Sequence, residues 1–328
     1  MERGRPRPPS VSAPPRPERD MGRSAAGDGR APHETFAYLL LILAALFWAG
    51  NYIVGRAIRY DIEPIALAFW RAVLAFAMAL PFAFGQIRRS WPAVRAEWPT
   101  IAALGATGVG LYHACTYLAL SGTTAINAAM FLSVMPIAIV AASWLALGHR
   151  VTRMQAAGML LSLLGVLAVI VRGDPAALLT LRLNAGDLWM LAAVPLWAAY
   201  SVLLLRRRLA LPPLALLTLT MGFGALFLLP LVAWSAALGH GLSLNLPGLI
   251  GVLYVALFAS LLGYLFWNQG VAAVGPNRAG SFLHLTPIFS AALAVLLLGE
   301  AVALYHMVGG ALVFAGILLV SRGRAADR

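Results

Sequence analysis

Lysine is absent from this 328-residue chain, cysteine occurs once, and charged residues make up only 11% of it. Each shortage excludes something. With one cysteine, Cys115, no intramolecular disulfide can form and no cysteine-based metal site can be built. Lying in an apolar run, Cys115 reads as a small buried hydrophobe. Soluble domains carry about 25% charged residues, so this chain lacks the polar surface needed to face water on all sides. All 24 basic residues are arginine, against 12 acidic ones, for a net charge of +12. That excess would suit a nucleic-acid binder, but the arginines form no basic stripe interleaved with aromatics. They sit in two tails and in short segments between apolar runs, so no nucleic-acid partner is implied. The acidic residues are scarcer still at depth: all twelve fall in tails, in loops or at helix ends. Carboxylates are the usual proton relays and cation partners inside membranes. Their absence from helix centres argues against classical proton-coupled antiport and strongly cationic cargo. It favours a neutral or zwitterionic solute moved down its gradient, with histidine the remaining group able to take a proton.

What the chain does have is apolar length. Hydrophobic residues make up 61% of it and the mean hydropathy is +0.83. A bilayer crossing takes roughly 20 apolar residues, and ten such runs are expected, at 37–57, 64–84, 99–120, 123–147, 152–171, 186–205, 211–238, 248–272, 276–298 and 302–321. Breakers such as Asp61-Ile62-Glu63-Pro64, Gly173-Asp174-Pro175 and Leu211-Pro212-Pro213 separate them. Residues 1–35, rich in Pro, Arg, Gly and Ser, are expected to form a disordered tail, with Met21 as an alternative start. A second short tail, 322–328, closes the chain. Counting arginines by side gives the orientation. Nineteen fall on the side of the N-terminus and four, Arg56, Arg59, Arg172 and Arg182, on the other. The positive-inside rule then places both termini in the cytoplasm. The expected setting is a cell inner membrane, with the lipid bilayer as the main partner; a homodimer is compatible with the sequence.

The chain repeats itself. A shift of 151 residues lays Pro136 on Pro287, Gly148 on Gly299, Gly158 on Gly309 and Gly165 on Gly316, with Leu132 on Leu283 and Ala128 on Ala279 in the same register. A shift of 149 lays Trp48 on Trp197. Two halves, 37–171 and 186–321, follow. Five helices in each is an odd number, so the halves must run oppositely through the membrane. The expected fold class is therefore an all-α integral membrane protein of ten transmembrane helices in two inverted five-helix repeats, an arrangement many secondary transporters use for alternating access.

Several stretches resemble a known family. Ala45-Leu-Phe-Trp-Ala-Gly-Asn51-Tyr and Ala68-Phe-Trp-Arg71-Ala are similar to the opening of an EamA domain. Tyr264-Leu-Phe-Trp-Asn268-Gln-Gly, Thr286-Pro287 and Leu298-Gly299-Glu300 continue the likeness in the second half. The resemblance, over about 37–321, is to the drug/metabolite transporter superfamily. It implies ten helices in two inverted repeats around a central substrate path, and export of amino acids and related metabolites, while relatives carry nucleotide sugars or sugar phosphates. Two positions depart from it. His149 stands where a Glu often follows Leu-Gly, and Thr286-Pro287 where Glu-Pro is often seen, so no carboxylate role transfers to either.

Candidate substrate-binding residues come from polar and aromatic groups at mid-helix. Trp48 and Asn51 share a face of the first helix one turn apart, and Trp197 and Tyr200 repeat that spacing in the sixth. They offer a stacking surface for an aromatic or apolar cargo, or simple packing. Tyr112, His113 and Tyr117 lie in the third helix and His284 in the ninth. A histidine at that depth either lines a pathway or is a neutral imidazole bonded to a backbone carbonyl. Arg71 offers a planar fork for a substrate carboxylate. Alternatively it snorkels to the surface, binds a backbone carbonyl, or meets Asp61 or Glu63. Tyr264 and Asn268 share a face of the eighth helix, where an amide also glues helices. Pro136 and Pro287 are expected to break backbone hydrogen bonds mid-helix and act as gating hinges. No catalytic residue, metal site or cofactor is implied. The leading function is export or exchange of small amino-acid-like metabolites. The alternatives are uptake or exchange of phosphorylated or nucleotide-linked solutes and, in another class, a membrane-embedded lipid-modifying enzyme, for which the loops offer no nucleophile or metal cluster.

Overall fold

The computed structural model describes residues 32–132, 134–147, 152–171, 174, 184–206, 209–239, 245–274, 282–283 and 285–323. Helices account for most of these residues, and no strand occurs among them. In chain order they are α1 (Pro32–Ala57), α2 (Pro64–Arg89), α3 (Trp91–Leu104), α4 (Tyr112–Gly122), α5 (Ala125–Leu132), α6 (Met135–Leu147), α7 (Arg153–Ile170), α8 (Ala185–Arg206), α9 (Pro213–Ala237), α10 (Leu246–Tyr254), α11 (Gly263–Val274), α12 (Leu285–Leu298) and α13 (Leu304–Gly323). Two π-helical segments, Gly105–Leu111 and Val255–Leu262, join α3 to α4 and α10 to α11.

The helix starts follow from local chemistry. The Glu63 carboxylate caps α2 by accepting from the Ala66 amide at 2.7 Å, and Pro64 fills the first position, where no amide is needed. Thr152 and Gln155 form a reciprocal capping box at α7. Asn245 caps α10 by accepting from the Gly248 amide at 2.9 Å.

Five helical stretches are long and apolar enough to cross a bilayer: Thr35–Ala57, Pro64–Arg89, Ala185–Leu204, Pro213–Ala237 and Leu246–Gly270. A sixth results if α5 and α6, bent by 41°, form one span. The ten expected spans are thus matched in part. Helices α7, α12 and α13 are apolar but shorter within their apolar stretch. The continuous helix from Trp91 to Gly122 carries Thr107, Tyr112, His113, Thr116 and Tyr117 along its middle and end, which dilutes its hydropathy. Large apolar side chains point outward: Phe82, Leu145, Leu296 and Leu304 are each at least 75% exposed. A water-soluble protein would not leave so many uncovered; lipid covers them here.

Two boundaries differ from expectation. The stretch 85–98, expected as a loop, is helical apart from Ser90. Pro92 lies in the first turn of α3, where its missing N–H costs nothing. The run 123–147, expected as one helix, is two pieces, α5 and α6. Pro136 and Pro287 accordingly sit in the first turns of α6 and α12 and not inside a continuous helix. At such positions proline leaves an orphan amide out, and the break lies just before it.

The repeat is built into the packing. Pro64 and Pro213 open α2 and α9, and Pro81 and Pro230 lie inside them; both pairs share the 149-residue shift of Trp48 and Trp197. The two π-helical segments occupy matching places. The Tyr112 amide bonds to the Thr107 carbonyl five residues back, and that of Gly263 to Phe258, donors and acceptors alike 151 apart. Helices α7 and α13 cross through glycine. A Cβ on Gly165 would stand 2.6 Å from the Gly309 carbonyl oxygen, and one on Gly316 would overlap the Gly158 carbonyl. The second contact is the image of the first under the 151-residue shift. Since 158 to 165 runs along 316 to 309, the equivalent helices are antiparallel where they meet. Close backbone approach of this kind supplies van der Waals attraction that lipid-solvated helices cannot get from the hydrophobic effect.

Candidate functional site

Arg71 lies two turns into α2 and is only 2% exposed. Its guanidinium is held from three sides. Nε and Nη2 donate to Ser260 Oγ at 3.0 and 2.6 Å, and Nη1 donates to Asn51 Oδ1 at 3.1 Å and to the Tyr117 hydroxyl at 2.7 Å. Tyr117 in turn donates to Asn51 Oδ1 at 2.7 Å, and Ser260 donates to the Val255 carbonyl at 2.8 Å, five residues back in the π-helical segment. The cluster therefore joins α1, α2 and α4 of the first half to one residue of the second. All these hydrogen-bond partners are neutral. Neither carboxylate expected near Arg71 is among them: Glu63 caps its own helix, and Asp61 accepts from the Asn245 amide. Snorkelling is also ruled out, because the head is buried and bound inside the protein.

The Tyr117 ring centroid lies 5.7 Å from the Arg71 guanidinium carbon, and further aromatic rings pack against one another beyond it. Tyr112 packs on Trp197 with ring centroids 4.9 Å apart, and Trp197 on Tyr200 at 5.2 Å. The Tyr52 and Tyr112 hydroxyls meet at 3.3 Å. His113 lies against Tyr112, and its Nδ1 is 2.9 Å from the Val109 carbonyl. A carbonyl only accepts, so Nδ1 carries the proton; this is the carbonyl-bonded form expected as one of its two readings. On the far side, Trp48 packs on Tyr264 at 5.7 Å and Trp267 at 5.4 Å, and its Nε1 donates to the Ala259 carbonyl at 3.1 Å. Trp48 and Trp197 make matching contacts. Trp48 lies against Gly263 and Trp197 against Tyr112, two positions related by the 151-residue shift.

Of the expected residues, Trp48, Asn51, Arg71, Tyr112, His113, Tyr117, Trp197, Tyr200 and Tyr264 converge on this centre. Asn268 is half-buried one turn beyond Tyr264 and takes no part in the hydrogen-bond network among the described residues. His284 lies outside the described residues. Sequence reasoning missed Ser260 and Tyr52. Ser260 stands one turn before Tyr264, which was the available signal.

A second polar cluster was not foreseen. Asp187, in the first turn of α8, is 1% exposed, so a carboxylate is buried after all. It stands at a helix end, as the sequence implies, and lies beneath the turn between α4 and α5. The Thr123 hydroxyl donates to its Oδ1 at 2.5 Å, and Asn127 Nδ2 lies 3.3 Å from Thr123 Oγ1. His306, 3% exposed, bonds Asn127 Oδ1 at 2.9 Å. A carboxylate at a helix end is therefore buried, which the scarcity of acidic residues at helix centres did not foretell. Among the described residues, no group of three or more His, Cys, Asp or Glu could hold a metal ion.

Comparison with known proteins identifies the architecture. The EamA-like transporter family model matches twice, at residues 35–171 and 184–322. An uncharacterized transporter of Archaeoglobus fulgidus is 27% identical over 87% of this chain and 96% of its own. A probable terminal-alkyne amino-acid exporter of Streptantibioticus cattleyicolor is 28% identical over 86% and 92%, respectively. A probable amino-acid metabolite efflux pump of Salmonella typhimurium is 24% identical over 85% and 93%.

Proposed function

Because this chain belongs to the EamA-like transporter family, we propose that it exports or exchanges small zwitterionic or neutral metabolites of amino-acid type. It does so across the inner membrane, with both termini cytoplasmic, by alternating access at a site between two inverted halves. The observation that carries the reading is Arg71, a buried cation whose hydrogen-bond partners are all neutral. A buried charge without an opposite charge is costly. A substrate carboxylate would supply that charge, displacing Ser260 or Asn51 from the guanidinium fork. Trp48, Tyr112, Trp197 and Tyr200 offer ring faces for the remainder of such a molecule. Two relatives whose names refer to amino acids or their metabolites support the same cargo class.

Arg71 is the one arginine among the fully buried polar residues described, too little for a polyanionic phosphate ester. Movement between inward- and outward-facing states is assigned to the breaks ahead of Pro136 and Pro287, the first of which already bends the chain by 41°. The test is counterflow in proteoliposomes, with a panel of labelled amino acids, their amides and amines, and phosphorylated solutes. Exchange of amino acids, aromatic and aliphatic ones foremost, is the expected result. Exchange of phosphorylated solutes alone would replace this reading.

A further inference from the structure

The turn between α4 and α5 is tied down from outside itself at nearly every residue. Arg56 Nη1 of α1 donates to the Leu120 carbonyl at 2.8 Å and the Ser121 carbonyl at 3.3 Å. The other ties come from the second half of the chain. Asn184 Nδ2 donates to the Gly122 carbonyl at 2.8 Å, and Asp187 accepts from Thr123. The Glu300 carboxylate accepts from the Ala125 and Ile126 amides at 2.9 and 3.1 Å, and His306 bonds Asn127. Residues 120–127 therefore form a strap joining the two halves at one end of the molecule, the end assigned to the outer side by the arginine distribution.

The strap contains a hydrogen-bond chain with one direction. The Ala303 amide donates to His306 Nδ1 at 2.9 Å, so that nitrogen is bare and the proton of the neutral ring is on Nε2. Nε2–H then donates to Asn127 Oδ1, Asn127 Nδ2 donates to Thr123 Oγ1, and the Thr123 hydroxyl donates to Asp187. Every donor points toward the carboxylate, an order suited to an ionised Asp187. The carboxylate lies at the amino end of α8, where the helix dipole favours the anion. Just above it, Ser121 and Gly122 are exposed, so a proton has a short way in.

We propose that Asp187 is a proton-binding site that couples transport to the proton gradient, its protonation loosening the Thr123 tie and releasing the strap. The proposal rests on the transporter reading above and supplies its coupling ion. The proton comes from the outer water, neutralises the carboxylate and takes away the charge that strengthens the Thr123 bond. Among the described residues, the charged and titratable groups bonded to the strap include Arg56 on the carbonyls of α4, Glu300 on the amides of α5 and His306 through Asn127. Glu300 and His306 are the competing origins of any pH response. Asp61, Glu63, Arg59 and Tyr60 lie on the α1–α2 turn at the same end.

Amide hydrogen exchange over residues 120–127, corrected for intrinsic pH dependence, tests this on the full-length protein without any substrate. In the unmodified protein, protection should fall with pH by up to about tenfold per unit, the limit for one linked proton. Asp187→Asn keeps an oxygen to accept from Thr123 but cannot ionise, so the pH step should vanish there while Glu300→Gln and His306→Gln retain it. A step that survives Asp187→Asn and disappears in Glu300→Gln or His306→Gln overturns the proposal, as does the absence of any step in the unmodified protein. In proteoliposomes, Asp187→Asn should keep counterflow yet lose accumulation driven by a pH gradient. Counterflow of amino acids with no effect of a pH gradient in the unmodified protein sinks the coupling and leaves the transporter reading intact. No counterflow of any amino acid sinks the cargo assignment, while the exchange experiment still judges Asp187.

Discussion

The hydroxyl of Ser162 on α7 donates to the carbonyl of Val313 on α13 at 3.2 Å, and the two residues are 151 positions apart. They occupy the same place in the two copies, so the approximate twofold axis relating the copies passes between them. The glycines on either side obey it: Gly158 meets Gly316 and Gly165 meets Gly309. The crossing of α7 and α13 therefore lies on the axis that relates the two copies.

That crossing has no room for side chains. Gly165→Ala or Gly309→Ala should lower the stability of the purified protein by about 1–3 kcal/mol, the usual cost of overpacking. Thermal unfolding in detergent measures it. Gly85→Ala is the control, since nothing lies within 4 Å of a Cβ there; it should leave the transition unchanged or raise it slightly.

Ser260 is the hydroxyl that links the second half to Arg71. Ser260→Ala leaves Nε and Nη2 of a buried guanidinium without their acceptor. The expected loss is about 1–3 kcal/mol, as for other unsatisfied buried groups, read from chemical or thermal unfolding. An unchanged midpoint would mean that Arg71 finds another acceptor.

Arg71→Lys retains the charge and discards the fork. If the fork takes a substrate carboxylate, exchange of an amino acid should fall by about 10- to 100-fold, the worth of one to two hydrogen bonds to a charged group. Exchange of the matching amine, which has no carboxylate, should be slow in both proteins. Equal rates for acid and amine before the substitution would remove Arg71 from the binding site.

Trp48→Ala and Trp197→Ala should each depress exchange while the protein still elutes as a folded species. Trp48→Phe retains a ring but loses the bond to the Ala259 carbonyl. Recovery of most of the rate in Trp48→Phe assigns the role to stacking; no recovery assigns it to the tie between α1 and the π-helical segment.

Much of this was readable in the order of residues. Apolar runs announce helices because a bilayer demands internally satisfied backbone, and the shared positions of Pro and Gly announce the duplication, since those residues act on the backbone itself. Trp48, Asn51, Arg71, Tyr117 and Trp197 could be singled out because polar and aromatic groups at mid-helix are conspicuous against leucine and alanine. The break between α5 and α6 was legible only as a kink at Pro136, since the run 123–147 holds no charged residue and no glycine to end a helix. The π-helical segments were not legible; they arise where an extra residue is accommodated against the opposing copy.

The sequence by itself determined that this protein is helical, duplicated and at home in lipid, because hydropathy and proline or glycine placement act locally and survive any packing. Only the tertiary structure decided what the polar residues do. Arg71 could have met Asp61, Glu63 or water; packing against the second half gave it Ser260, Asn51 and Tyr117 instead. Asp187 looked like a surface residue at a helix end until the 120–127 strap covered it. A side chain's partner is a matter of which helices are neighbours, and residues 20 to 189 positions apart carry no local mark of meeting.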